Sequence, residues 1–188
     1  MTGHLRRFYR AVFAILILAA TSGSILGQEV KDRELKPAFD FTTIQMPVEI
    51  VSIRLAGKDI QPGEKIKGND DWLQGLSFTL KNISDKPIAY LAVGLRFPQP
   101  KGVVVYFLDY GVDLSRGTPR RESSPPAIQP GQSLDLVLTK EKYQNFLKLL
   151  ELGGASRSFD IAPYFIARVC FENEPDGHGG KWRRWCEK

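Results

Sequence analysis

Histidine is almost missing from this chain. Of 188 residues only His4 and His178 are histidine, and only Cys170 and Cys186 are cysteine. A zinc site takes three or four nitrogen or sulfur ligands as a rule, so this inventory is too small to build one. A Ser-His-Asp triad would rest on His178 alone, with Asp176 nearby and no serine marked as its nucleophile. The nucleophile elbow G-x-S-x-G, the P-loop and G-x-G-x-x-G are absent as well. With them go the local signatures of α/β-hydrolases, P-loop enzymes and dinucleotide binders. No cofactor, metal or catalytic residue is expected.

Long apolar runs are equally scarce. The most apolar stretch, "AVFAILILAA" (11–20), is well short of the roughly 20 residues that span a bilayer. It follows "MTGHLRRFYR", which holds Arg6, Arg7 and Arg10 and no acid, and precedes the small and polar "TSGSILGQ". A basic start, an apolar centre and a small-residue exit form a secretory signal peptide. It is assigned to residues 1–27, with cleavage between Ser24 and Gly27; an uncleaved N-terminal membrane anchor is the alternative. No cysteine follows the apolar centre, which argues against a lipoprotein. The layout points to bacterial export, to the periplasm or beyond.

Excess charge is missing too, once that segment is set aside. The whole chain has 26 basic and 21 acidic residues, but residues 1–27 hold three of the basic ones and none of the acidic. What remains is nearly balanced, so nucleic acid, which calls for clustered basic surface, is not an expected partner. Two short basic runs, Arg120-Arg121 and Lys181-Trp182-Arg183-Arg184, read as solvated faces. No membrane span is expected after cleavage.

The two cysteines gain meaning from export, which places them in an oxidising compartment. "APYFIARVCFE" (162–172) and "KWRRWCEK" (181–188) flank the turn-rich "NEPDGHGG". A hairpin centred on His178 sets Cys170 opposite Cys186, Phe171 opposite Trp185 and Glu174 opposite Trp182. A structural disulfide between Cys170 and Cys186 is expected, stabilising the fold by about 3 kcal/mol.

The patterned segments are mostly strands. Residues 28–45 are charged and weakly patterned, and read as an N-terminal arm or linker. Residues 46–188 read as a single domain. "PVEIVSIRLAG" (47–57) is β-branched, and "KDIQPGEKIKGNDDWLQG" (58–75) is a polar connection. Leu76, Phe78 and Leu80 then alternate with polar residues, and Ala89, Leu91, Val93, Leu95 and Phe97 alternate on the far side of "NISDKP". The Asn, Ser, Asp and Pro of that knot favour a turn. The same turn role explains Asn82-Ile83-Ser84, a glycosylation sequon in form. "GVVVYFLDYGV" (102–112) and "SLDLVLT" (133–139) are further strands, separated by a Pro/Gly/Ser loop. One helix fits: Thr139 caps it, Tyr143, Phe146, Leu147 and Leu150 mark one face, and Gly153-Gly154 ends it near 140–152. Several short strands and one helix predict a mainly β fold, an antiparallel β-sandwich.

"FTLKNISDKPIAYLAVGLRF" resembles a motif of immunoglobulin-like domains in exported bacterial proteins, where a strand ends in N-x-S-D-K-P and the next begins at once. Over residues 75–98 the chain is similar to domains named for an F-x-L-Y-D signature, though Arg96-Phe97-Pro98-Gln99 stand where Tyr-Asp would be expected. The resemblance implies an immunoglobulin-like sandwich and supplies no activity to carry over.

Two functional readings follow. The first is an exported, non-enzymatic module that binds or scaffolds an envelope or extracellular partner through exposed aromatics. Trp72, Tyr110 and Trp182 are its candidate binding residues, since an apolar ring face stacks while its polar edge hydrogen-bonds. The alternative is a carboxylate-dependent hydrolase acting on polysaccharide, built on Asp70-Asp71 with Asp109 or Asp113; the same acids are the candidates for a hard cation. Two of them converging in a concave pocket would favour the second reading.

Overall fold

In the computed structural model, the residues described are 29–39, 46–99, 102–111, 123–156 and 158–172. They form two packed β-sheets and one helix. The strands are β1 (Lys31–Pro37), β2 (Val48–Leu55), β3 (Lys58–Asp59), β4 (Lys65–Gly68), β5 (Ser77–Asn82), β6 (Ile88–Gln99), β7 (Gly102–Gly111), β8 (Ser133–Val137) and β9 (Ile161–Phe171). The helix, α1, spans Lys140–Leu152. One sheet runs β4-β1-β9-β6-β7 and the other β3-β2-β5-β8. No helix among the described residues is long and apolar enough to cross a membrane.

The alternating segments do what their period requires. Phe78 and Leu80 of β5 and Leu136 of β8 are buried and face Leu91, Val93, Leu95 and Phe97 of β6 in one core. Phe78 meets Tyr164 of β9 across the sandwich, ring centroids 5.3 Å apart. Helix α1 has the predicted bounds and cap: the Thr139 side chain accepts from the Lys142 N–H. Its four predicted inward residues, Tyr143, Phe146, Leu147 and Leu150, are all buried.

Residues 31–37 overturn the reading of 28–45 as an arm. They form β1, inserted between β4 and β9. Its inward positions are Arg33 and Leu35, both essentially without solvent exposure. The alternation is hidden in the sequence because an arginine occupies a core position, and it can do so only when distant acids neutralise it. Likewise, the polar connection 58–75 contains two short edge strands, β3 and β4. One strand pair also departs from the expected antiparallel pattern: β1 runs parallel to β9, from Glu34 opposite Ile161 to Pro37 opposite Tyr164.

"NISDKP" is a turn, but it joins strands of different sheets, since β5 belongs to one and β6 to the other. Asn82 organises it. Its Nδ2 donates to the Lys86 carbonyl at 2.8 Å and to the Ile128 carbonyl at 2.9 Å. Its Oδ1 accepts from the Ser84 N–H at 3.0 Å and hydroxyl at 2.7 Å. Fully buried and fully engaged, this side chain is unavailable as a glycan acceptor.

Candidate functional site

One acidic candidate, Asp70, is bound to a buried cation. Arg33 projects from β1 into the end of the sandwich and spends its guanidinium on four partners. Nη1 donates to Asp160 Oδ1 at 2.6 Å and to the Phe159 carbonyl at 2.8 Å. Nη2 donates to Asp70 Oδ1 at 2.8 Å, and Nε to the Gly68 carbonyl at 3.3 Å. The Ser158 hydroxyl also donates to Asp70 Oδ1, at 2.8 Å. Together the Ser158 hydroxyl and the Arg33 guanidinium hold the Asp70 carboxyl below its ordinary range. Asp71 accepts from the Tyr143 hydroxyl at 3.2 Å. The cluster ties β1, the β4–β5 connection, helix α1 and the approach to β9 into one unit.

Trp72, expected as an exposed stacking platform, is part of this framework instead. It is buried, its indole N–H donates to the Phe159 carbonyl at 3.1 Å, and its ring lies 5.9 Å from that of Phe159. Its close neighbour is Gly68, where an added Cβ would come within 2.7 Å of the Trp72 Cβ. Beside Trp72 a cleft of about 680 Å³ opens, lined by residues that include edge strands β3 and β4. Its acids are already engaged: Asp59 pairs with Arg54 at 2.9 Å, Glu64 accepts from the Gln61 N–H at 2.9 Å, and Asp71 is bound by Tyr143.

Tyr110 keeps part of its surface exposed. It is half-buried against the core, and its hydroxyl donates to the Pro126 carbonyl at 2.9 Å, fastening the 123–128 segment. Asp109 lies on β7, at the opposite end of the five-stranded sheet from Asp70 and Asp71, near the Tyr90 hydroxyl at 3.4 Å. These acids therefore share no cavity. Trp182, Cys186, Asp113 and His178 lie outside the described residues. Cys170 is buried on β9 opposite Tyr90, and no cysteine among the described residues is a free thiol. No group of three or more His, Cys, Asp or Glu suited to a metal occurs among the described residues.

What the sequence reading missed is an apolar surface on the outer face of the five-stranded sheet. Along β6 the core-facing residues leave Gly94 pointing outward, and its cross-strand partners are Phe107 on β7 and Phe165 on β9. The Phe165 ring lies directly over Gly94, where a Cβ would come within 2.6 Å of it. Only glycine leaves room for the ring there. Phe39, just past β1, meets Phe165 edge to face at 5.7 Å. Phe39 and Phe107 are each 50% exposed, and Val103 and Ile161 on the same face are 44% and 40% exposed. Exposed apolar residues at neighbouring strand positions mark interaction surfaces more often than isolated ones do; the exposed Arg96 of β6, opposite Val105, shares the face. Its signal was present in "GVVVYFLDYG", where both alternating sets are apolar, so that one of them must face out.

No protein-family model, curated protein or solved structure matches the chain.

Proposed function

We propose that this chain is an exported, non-enzymatic, immunoglobulin-like β-sandwich that binds or scaffolds a protein partner of the cell envelope or extracellular space. One observation carries the reading: the row Phe39–Phe165–Gly94–Phe107 across the outer face of the five-stranded sheet. A rigid scaffold with half-exposed phenylalanines supplies the apolar anchors that protein interfaces use at their centres. The dispersal of the acidic residues supports the non-enzymatic part. A glycosidase needs two carboxylates roughly 5–10 Å apart across a substrate, whereas Asp70 is locked to Arg33 and Asp109 sits at the other end of the sheet. Export rests on the residues 1–27 signal, and a Cys170–Cys186 bridge fits both the compartment and the lack of a free thiol among the described residues.

The test is a pull-down of the exported protein against its own envelope fraction, beside the Phe39→Ser/Phe165→Ser variant and the milder Phe39→Ser. Wild type should retain a discrete partner, and both variants should lose it at unchanged melting temperature. Equal capture by all three, or none by wild type, overturns the reading. Alkylation without reductant should label no thiol.

A further inference from the structure

We infer that β7 is a strand-addition site, and that its occupant is an extended segment of a partner protein, docked as a sixth strand of the five-stranded sheet; this rests on the binding-module reading above. β7 is the terminal strand, paired only with β6, and its ten residues keep one register from Gly102 opposite Gln99 to Gly111 opposite Tyr90. In an antiparallel ladder only alternate residues direct their N–H and C=O groups at the neighbour. The intervening groups of β7 point away from the sheet, and among the described residues no backbone hydrogen bond joins β7 to anything but β6.

Exposed edges of this length are ordinarily blocked by charged side chains, proline, a bulge, shortness or a covering helix or loop. β7, "GVVVYFLDYG", has no lysine, proline or bulge and a single charge, Asp109. At about 3.4 Å per residue it offers a ladder of roughly 34 Å. Helix α1 lies on the core side, where Phe146 meets the Tyr106 ring at 5.3 Å and the Tyr106 hydroxyl donates to the Lys142 carbonyl. On the outer side Val103 and Phe107 stay about half exposed. An added strand would thus lay every second side chain beside Val103, Val105 and Phe107, the usual division of labour between main-chain affinity and side-chain specificity.

Size and charge choose the occupant. Two folded domains dock stably with about 20–30 residues a side, more than a ten-residue edge presents, whereas one extended segment matches it. The only charged residue of β7 is the exposed Asp109. The fitting partner is therefore an extended peptide with β-branched or aromatic residues at alternate positions and a basic residue at the end that meets Asp109.

The probe is a fluorescein-labelled synthetic peptide of alternating valine and threonine with lysine at both ends, set against the same peptide with a central proline. With the exported protein, anisotropy should rise saturably, and hydrogen exchange should slow at β7 while β4 is unchanged. The proline peptide, and the Val103→Lys/Val105→Lys variant, should bind at least about tenfold more weakly. No saturable rise, or no slowing at β7, overturns the proposal. So does sedimentation equilibrium showing a dimer that the lysine variant dissolves, which would give the edge to a second copy of the chain. The envelope pull-down separates the two readings: wild type and lysine variant capturing the same partner sinks strand addition alone, while no capture by wild type sinks the module.

Discussion

The two lateral edges of the sandwich follow opposite rules. At one edge stand β3, two residues long, and β4, four residues that include Lys65 and Lys67. Lys67 pairs with Asp32 of β1 at 2.7 Å, and the buried Arg33 clamps the strand behind it. At the other edge stands β7, ten residues without a lysine. One edge is short, charged and stapled by a polar network; the other is long, apolar and held from the core side by helix α1. β4 and β7 are the two end strands of the same five-stranded sheet, yet only β4 is blunted by shortness and lysine. Strand addition at β7 would account for the difference.

The long edge is most vulnerable where α1 supports β7. Phe146 is buried among the rings of Phe97 at 4.9 Å, Tyr106 at 5.3 Å, Tyr143 at 5.8 Å and Phe159 at 5.9 Å. Phe146→Ala should cost about 3–5 kcal/mol in denaturant unfolding, and slow exchange along β7 should be lost first.

At the charged edge the expected loss is somewhat smaller. Arg33→Ala removes four hydrogen bonds and a core stem, but Asp70 and Asp160 are half or more accessible and rehydrate. About 3 kcal/mol is expected by the same measurement. Arg33→Lys should not restore it, because an ammonium cannot reproduce the planar fork.

Acid probes the same clamp more gently. The Asp70 carboxyl is held below its ordinary value in the folded protein by Ser158 and Arg33. A group depressed on folding contributes stability above the unfolded value, about 4, and loses it as pH falls through the folded value. Asp70→Asn should therefore melt lower than wild type at neutral pH, and the two melting curves should converge below about pH 4. A gap that persists in acid would show that the carboxylate's charge is not what matters.

The smallest effect on stability, and the sharpest on behaviour, should come from removing the lysines of β4. Lys65→Val/Lys67→Val should change unfolding by about 0.5 kcal/mol or less yet give concentration-dependent association in sedimentation runs. An edge that stays inert without its lysines would show that shortness alone protects it.

Legibility in the sequence followed locality. Helix α1 was readable to its cap because capping and i, i+3, i+4 spacing are properties of consecutive residues. Strands β2 and β5 to β9 were readable from alternation or from dense β-branched runs. β1 was not, because its inward residue is Arg33, whose partners lie 37 and 127 positions away. Trp72 was misread as an exposed platform for the same reason: composition flags an aromatic, and only its neighbours decide whether it faces water. Phe39, Phe107 and Phe165 went unnoticed because their adjacency spans three separate segments of the chain.

Residue type and short-range period were enough for the class of fold, the helix, the turn at Asn82 and the scarcity of histidine and cysteine. Which strands share a sheet, which arginine is buried, and which strand is left at the edge were decided only by the tertiary structure. Those outcomes turn on register and on charge neutralisation between residues far apart in the chain, where no local pattern reaches.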